Sequence, residues 1–154
     1  GLNLLMQSGV TLVNQTPLVQ GVNDDPEVLA ELFSKLSYIG IPPYYVFLCR
    51  PTLGNETYSV PVERGYEIFE KSRTLCSGLA KRARLVMSHE SGKIEVLGMT
   101  EDQIFFKYLR AADKNNDARF LSFFRNPEAC WFDDYQEASE EFSLFSQPVQ
   151  SKCL

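Results

Sequence analysis

The stretch from Asn14 to Gly54 leaves the chain little choice of fold. It is entered from an aliphatic, β-branched run, Val10–Asn14, and passes through a polar loop, Gly21–Asp25. Apolar residues then recur at helical spacing (Val28, Leu29, Leu32, Phe33, Leu36) before a second apolar run, Tyr44–Cys49. Asp24 or Asp25 can cap that helix, Pro26 suits its first turn, and Gly40 with Pro42-Pro43 stops it. Two strands joined through a helix are parallel, because a hairpin has no room for one. In barrels built from such units the chemistry sits on the loops after the strands. Gln15, Asn23, Asp24, Arg50 and Thr52 are expected on those loops.

The unit repeats once and then gives way. Pro51–Val60 reads as a loop, and Pro61 opens a helix whose buried side takes Tyr66, Ile68, Phe69 and Leu75. Arg84–Ser88 is a third strand. Beyond it Lys93–Leu97 and Ile104–Tyr108 alternate, Arg119–Arg125 is rich in aromatics, and Gly92, Gly98 and Lys114–Asp117 punctuate them. That pattern predicts an antiparallel meander. The expected division is therefore 1–88 as a strand–helix part, 89–146 as a β-rich extension and 147–154 as a loose tail. Leu2, Leu4, Leu5 and Met6, uncapped and closed by Gly9, read as the last turns of a helix whose beginning lies outside this sequence.

Charge narrows the function. The net charge is −5 and the pI near 4.9, which speaks against a surface that binds nucleic acid through its phosphates. No apolar run has the length of a membrane span. Cys49, Cys76, Cys130 and Cys153 match no zinc or iron–sulfur spacing. With no export signal, reduced thiols in a cytoplasm are expected.

Several separated blocks carry a resemblance. Val13-Asn14-Gln15-Thr16, Leu18, Gly21-Val22-Asn23-Asp24, Pro43-Tyr44-Tyr45 and Cys49 fall in consistent register with Gly54, Pro61, Gly65 and Glu67-Ile68. Over residues 1–100, most strongly 9–70, the chain resembles the lysine 2,3-aminomutase family of radical S-adenosylmethionine proteins. The resemblance implies an α/β fold: the C-terminal part of a partial TIM-type (β/α) barrel, followed by a small antiparallel β tail. It implies S-adenosylmethionine and a [4Fe-4S] cluster in the full-length protein. The cluster's Cys-x3-Cys-x2-Cys ligands are not in this chain, so the fragment alone should not generate the radical.

The resemblance also assigns roles. Gln15 takes the position that helps hold S-adenosylmethionine; the other reading is a turn amide satisfying a local carbonyl. Arg50 stands where lysine-specific members carry an aspartate facing the substrate's ε-ammonium. That charge reversal implies a small-molecule substrate with an anionic group, whereas pairing with Glu56 or Glu63 would make Arg50 a surface residue. Gln15 and Arg50 are expected to project from the same end of neighbouring strands into one pocket. Pyridoxal phosphate would sit on Lys93 if Ser91-Gly92-Lys93 ended the family's glycine-rich loop. An alternative register matches more residues, deletes that loop and makes Lys93 a turn lysine.

His89 with Glu90 could transfer protons, but a solvent-facing hairpin histidine is the plainer expectation. Asp133, Asp134 and Glu137 read as a solvated acidic patch rather than a cation site. The aromatics Phe105, Phe106, Tyr108, Phe120, Phe123, Phe124, Trp131, Phe132 and Tyr135 read as core. Two functional classes remain. One is the C-terminal portion of a radical enzyme that needs the N-terminal half of its barrel and could form a homo-oligomer. The other is a non-catalytic interaction or structural domain derived from such a barrel.

Overall fold

A computed structural model of the protein describes residues 1–135. Six strands form one mixed sheet in chain order: β1 (Asn14–Leu18), β2 (Pro43–Leu48), β3 (Arg84–His89), β4 (Gly92–Met99), β5 (Gln103–Ala111) and β6 (Phe120–Phe124). The pairs β1·β2 and β2·β3 are parallel, and the rest are antiparallel. The three helices are α1 (Leu2–Gln7), α2 (Pro26–Tyr38) and α3 (Val62–Thr74); α2 and α3 are the crossovers that parallel pairing requires. The α/β class, the parallel unit and the meander agree with the sequence pattern. The tail at 147–154 and Glu137 lie outside the described residues.

Local signals set the element ends. The Asp25 carboxylate accepts from the Glu27 and Val28 amides at 2.8 and 3.2 Å, with Pro26 in the first turn. At the other end Gly40, at φ +81°, lets Ile41 N–H reach the Leu36 carbonyl (2.9 Å) while Gly40 N–H reaches Ser37 (3.1 Å). That pair of bonds is a Schellman cap.

The first strand lies four residues later than its apolar run suggests. Val10 and Val13 are 50% and 40% exposed, while Asn14–Leu18 forms the ladder. Pro17 is tolerated because β1 is an edge. Asn14 N–H donates to the Pro42 carbonyl and the Leu18 carbonyl accepts from the Cys49 thiol. Even-numbered residues of β1 thus turn their backbone groups towards β2, and the nitrogen of Pro17 faces the free side.

Both long helices cover the same face. Thr16 and Leu18, Val46 and Leu48, Leu85 and Met87, and Ile94 and Val96 point into that layer with Leu29, Phe33, Ile68 and Phe69. α3 lies so close that a Cβ on Gly65 would stand 2.7 Å from a Leu48 methyl. Phe106, Phe123, Phe132 and Tyr135 extend the core edge to face. Val28 is exposed at the margin of the α2 stripe, and Leu75 is exposed because it caps α3 beyond its last turn. Burial of Glu63, 3% exposed, is offset by Arg125 at 2.9 and 3.0 Å and the Asn126 amide at 2.7 Å. Among the described residues, no helix is long and apolar enough to cross a membrane.

Candidate functional site

Strand alternation sends every second residue to the face without helices. Register aligns Gln15 with Tyr45, Tyr45 with Arg84, Ser88 with Lys93, Lys93 with Arg110, and Glu95 with Lys107. This open face therefore presents Gln15, Tyr45, Phe47, Arg84, Val86, Ser88, Lys93, Glu95 and Lys107, and a bulge that skips Leu109 brings Arg110 opposite Lys93. Phe105 and Phe120 stack on it at 5.5 Å, so these two of the expected core aromatics lie elsewhere, and Phe124 is 55% exposed.

The open face is cationic although the chain is acidic. Among the described residues, Arg84, Lys93, Lys107 and Arg110 stand on it against the one carboxylate of Glu95. Arg84 lies 3.8 Å from Glu95. Burial holds the Glu95 carboxyl above its ordinary range despite nearby Arg84 and Lys107. Lys93 Nζ lies 4.4 Å from the Tyr45 ring centre and 5.4 Å from that of Phe47. A hydrogen bond to Tyr44, with burial, raises the Tyr45 phenol.

Gln15 is not on a loop. It lies inside β1, level with Tyr45, and its side chain is exposed on the open face. Arg50 lies beyond the end of β2, five residues past Tyr45, or about 17 Å along an ideal strand. Gln15 thus stands on the wall and Arg50 beyond the strand end, so the two do not both project from loops. The correction follows from the shifted strand: starting β1 at Asn14 moves Gln15 from the rim to the wall. Arg50 does sit on the rim. Glu63 is taken by Arg125 and Glu56 accepts from the Gly54 amide, so neither serves Arg50. Among the described residues the Arg50 guanidinium has no partner. Asn23 and Asp24 brace the first rim loop, the former bonded to Val19 and Pro17 and the latter to Gly21. Thr52 N–H donates to Asn55.

Lys93 is the second residue of β4, next to the two-residue loop Glu90-Ser91. That turn does not fit the phosphate of pyridoxal phosphate. Its Ser91 amide donates to His89 Nδ1 and its Ser91 carbonyl accepts from Ala112. A Cβ on Gly92 would collide with the Arg110 carbonyl, so β5 already fills the space beside it.

His89 departs from its expected place. Its side chain is 7% exposed and lies under Phe132, on the helix-covered side. Nε2 faces the Asp133 carboxylate at 3.0 and 3.1 Å, and Nδ1 faces Ser91 Oγ at 2.7 Å, itself 2.8 Å from the Tyr108 hydroxyl. Because Nδ1 also accepts from the Ser91 amide, the neutral ring carries its proton on Nε2 and donates to Asp133. Asp134 is likewise structural, accepting from the Cys130 and Trp131 amides at 2.9 Å. The His89–Asp133 pair fastens the last described turn to the hairpin, while Asp133 and Asp134 remain exposed to solvent as expected. No short motif announces it, since the partners stand 44 residues apart.

Fold and site together define an α/β domain with one helix-packed face and one cationic, open face. No family model matches the chain. It is 56% identical over 139 residues, 90% of its length, to a protein of Aquifex aeolicus provisionally named L-lysine 2,3-aminomutase, of which it covers 37%. It is 45% identical over 75 residues to the L-lysine 2,3-aminomutase of Clostridium subterminale, covering 49% of the chain and 18% of that enzyme. It is 34% identical over 88 residues to the glutamate 2,3-aminomutase of Clostridioides difficile, covering 57% of the chain and 21% of that enzyme. The chain belongs to the lysine 2,3-aminomutase family, and it spans well under half the length of these relatives.

Proposed function

We propose that this chain forms the C-terminal part of a radical S-adenosylmethionine barrel, with the open face as inner wall, acting on a substrate that carries an anionic group. The observation behind this reading is the cationic open face, in a chain related to both lysine and glutamate aminomutases. The one-sided placement of α2 and α3 suits a barrel wall, and β1 leaves an edge for the N-terminal half to extend. Without that half, the chain would dimerise or fold poorly.

Gln15 fits a contact to S-adenosylmethionine: its amide is exposed on the wall and can both donate and accept. When bound with the cluster, that cofactor supplies the radical chemistry. Arg50, from the rim, would meet a carboxylate with paired hydrogen bonds and repel an ammonium. The free thiols Cys49, Cys76 and Cys130 suit a reducing cytoplasm.

The test is reconstitution of the full-length protein with iron and sulfide without oxygen, followed by addition of S-adenosylmethionine and dithionite as the one-electron reductant. Glutamate is expected to stimulate 5′-deoxyadenosine formation more than lysine, and Arg50→Asp to reverse that order. Stimulation by lysine alone would remove the proposal.

A further inference from the structure

Lys93 and Arg110 are cross-strand partners on β4 and β5, so two cations lie side by side on the open face. Like charges directly opposite each other destabilise a sheet. Neither has a hydrogen-bonding or ion-pairing acceptor among the described residues, and Lys93 is steadied only by the rings of Tyr45 and Phe47. Rings hold one side of an ammonium and leave its N–H donors available. The partner of Lys93 on its other side, Ser88, offers an exposed hydroxyl. Ser88 is the penultimate residue of β3, near the sheet edge beyond which Arg50 lies. Glu95, the one carboxylate of this face among the described residues, stands opposite Lys107 and beside Arg84, not between Lys93 and Arg110.

We infer that Lys93 and Arg110 form a carboxylate-binding pair, with Ser88 as a further donor, and that Lys93 binds substrate as a fixed cation instead of forming a Schiff base. A carboxylate between the two relieves their repulsion and takes paired hydrogen bonds from the guanidinium. The Ser91 amide, committed to His89, and the close approach of the Arg110 carbonyl to Gly92 point the same way, because they leave no cradle there for the phosphate that would accompany a Schiff base. This inference rests on the proposed anionic substrate and names where one of its carboxylates is held.

The experiment titrates the full-length protein with glutamate, lysine and inorganic phosphate by calorimetry, for the parent and for Lys93→Ala, Lys93→Arg, Arg110→Ala and Arg50→Ala. Thermal melting checks that each variant is folded, and Lys93→Gln replaces any Lys93→Ala protein that is not. Glutamate is expected to bind, more weakly at high salt, and to lose about tenfold or more in affinity in Lys93→Ala and in Arg110→Ala, with Lys93→Arg retaining most of it. Borohydride reduction with pyridoxal phosphate is expected to leave no stoichiometric pyridoxyl group on Lys93 in peptide mass mapping. Unchanged affinity in the Lys93 and Arg110 variants overturns the inference, as does tighter binding of phosphate than of glutamate, or a stoichiometric pyridoxyl-Lys93. If only Arg50→Ala loses binding, the anionic-substrate reading survives and the assignment of Lys93 and Arg110 falls. Binding of lysine in place of glutamate, or of neither, overturns both.

Discussion

The two faces of the sheet are built from the same strands, often from adjacent residues, yet they differ in kind. On the covered face Leu85, Met87, Ile94 and Phe106 are fully buried and touch other apolar groups. On the open face the neighbouring positions Arg84, Ser88, Lys93 and Lys107 are charged or polar, with only Val86 fully buried among them. Period-two alternation lets one strand bury one set of side chains and expose another, so the two sets can vary almost independently. Substitutions graded across the two faces test that separation.

The largest loss is expected from Phe106→Ala, at the centre of the aromatic cluster: about 3–5 kcal/mol in denaturant unfolding, from lost burial and the cavity left behind. A cost under 1 kcal/mol would show that the covered face does not carry the fold. Glu63→Gln comes next, at roughly 2 kcal/mol, because Arg125 and the Asn126 amide lose a charged acceptor in a buried setting. Arg125→Met should recover part of that loss in the double variant, measured as a coupling energy. On the open face Lys93→Ala should cost no more than about 1 kcal/mol, the size of a partly exposed cation–π contact. If it costs as much as Phe106→Ala, the division between faces fails.

The smallest effect has the opposite sign. Glu95 has a raised pKa, so the folded state binds its proton more tightly than the unfolded chain does. Its contribution to stability is present below the ordinary glutamate range and is lost as pH rises through the raised value. Glu95→Gln should therefore melt slightly higher than the parent at pH 7, with the gain fading as pH falls through the glutamate range. A lower melting temperature at pH 7 would mean that the Arg84 contact outweighs desolvation.

Much of this architecture was legible in local signals. Asp25, Pro26 and Gly40 mark α2, and the alternation from Lys93 onward marks the meander, because caps, turns and period-two patterns act over a few residues. The start of β1 was not legible. Val10–Asn14 has the better strand composition, but the ladder with β2 selects Asn14–Leu18, a tertiary preference that no local window contains. The site divides in the same way. The basic residue at Arg50 is visible in sequence, whereas the adjacency of Lys93 to Arg110, or of His89 to Asp133, is created by pairing and by the path of a distant turn.

Pro17 carries one further consequence. A second chain approaching the β1 border would find no amide at Pro17 and a carbonyl already bonded to the Asn23 side chain, so the zipper of bonds that propagates strand-on-strand stacking is interrupted there. The border can still accept one shaped neighbour whose own donors fit that gap. It is a poor seed for indefinite fibrils, which need every rung alike.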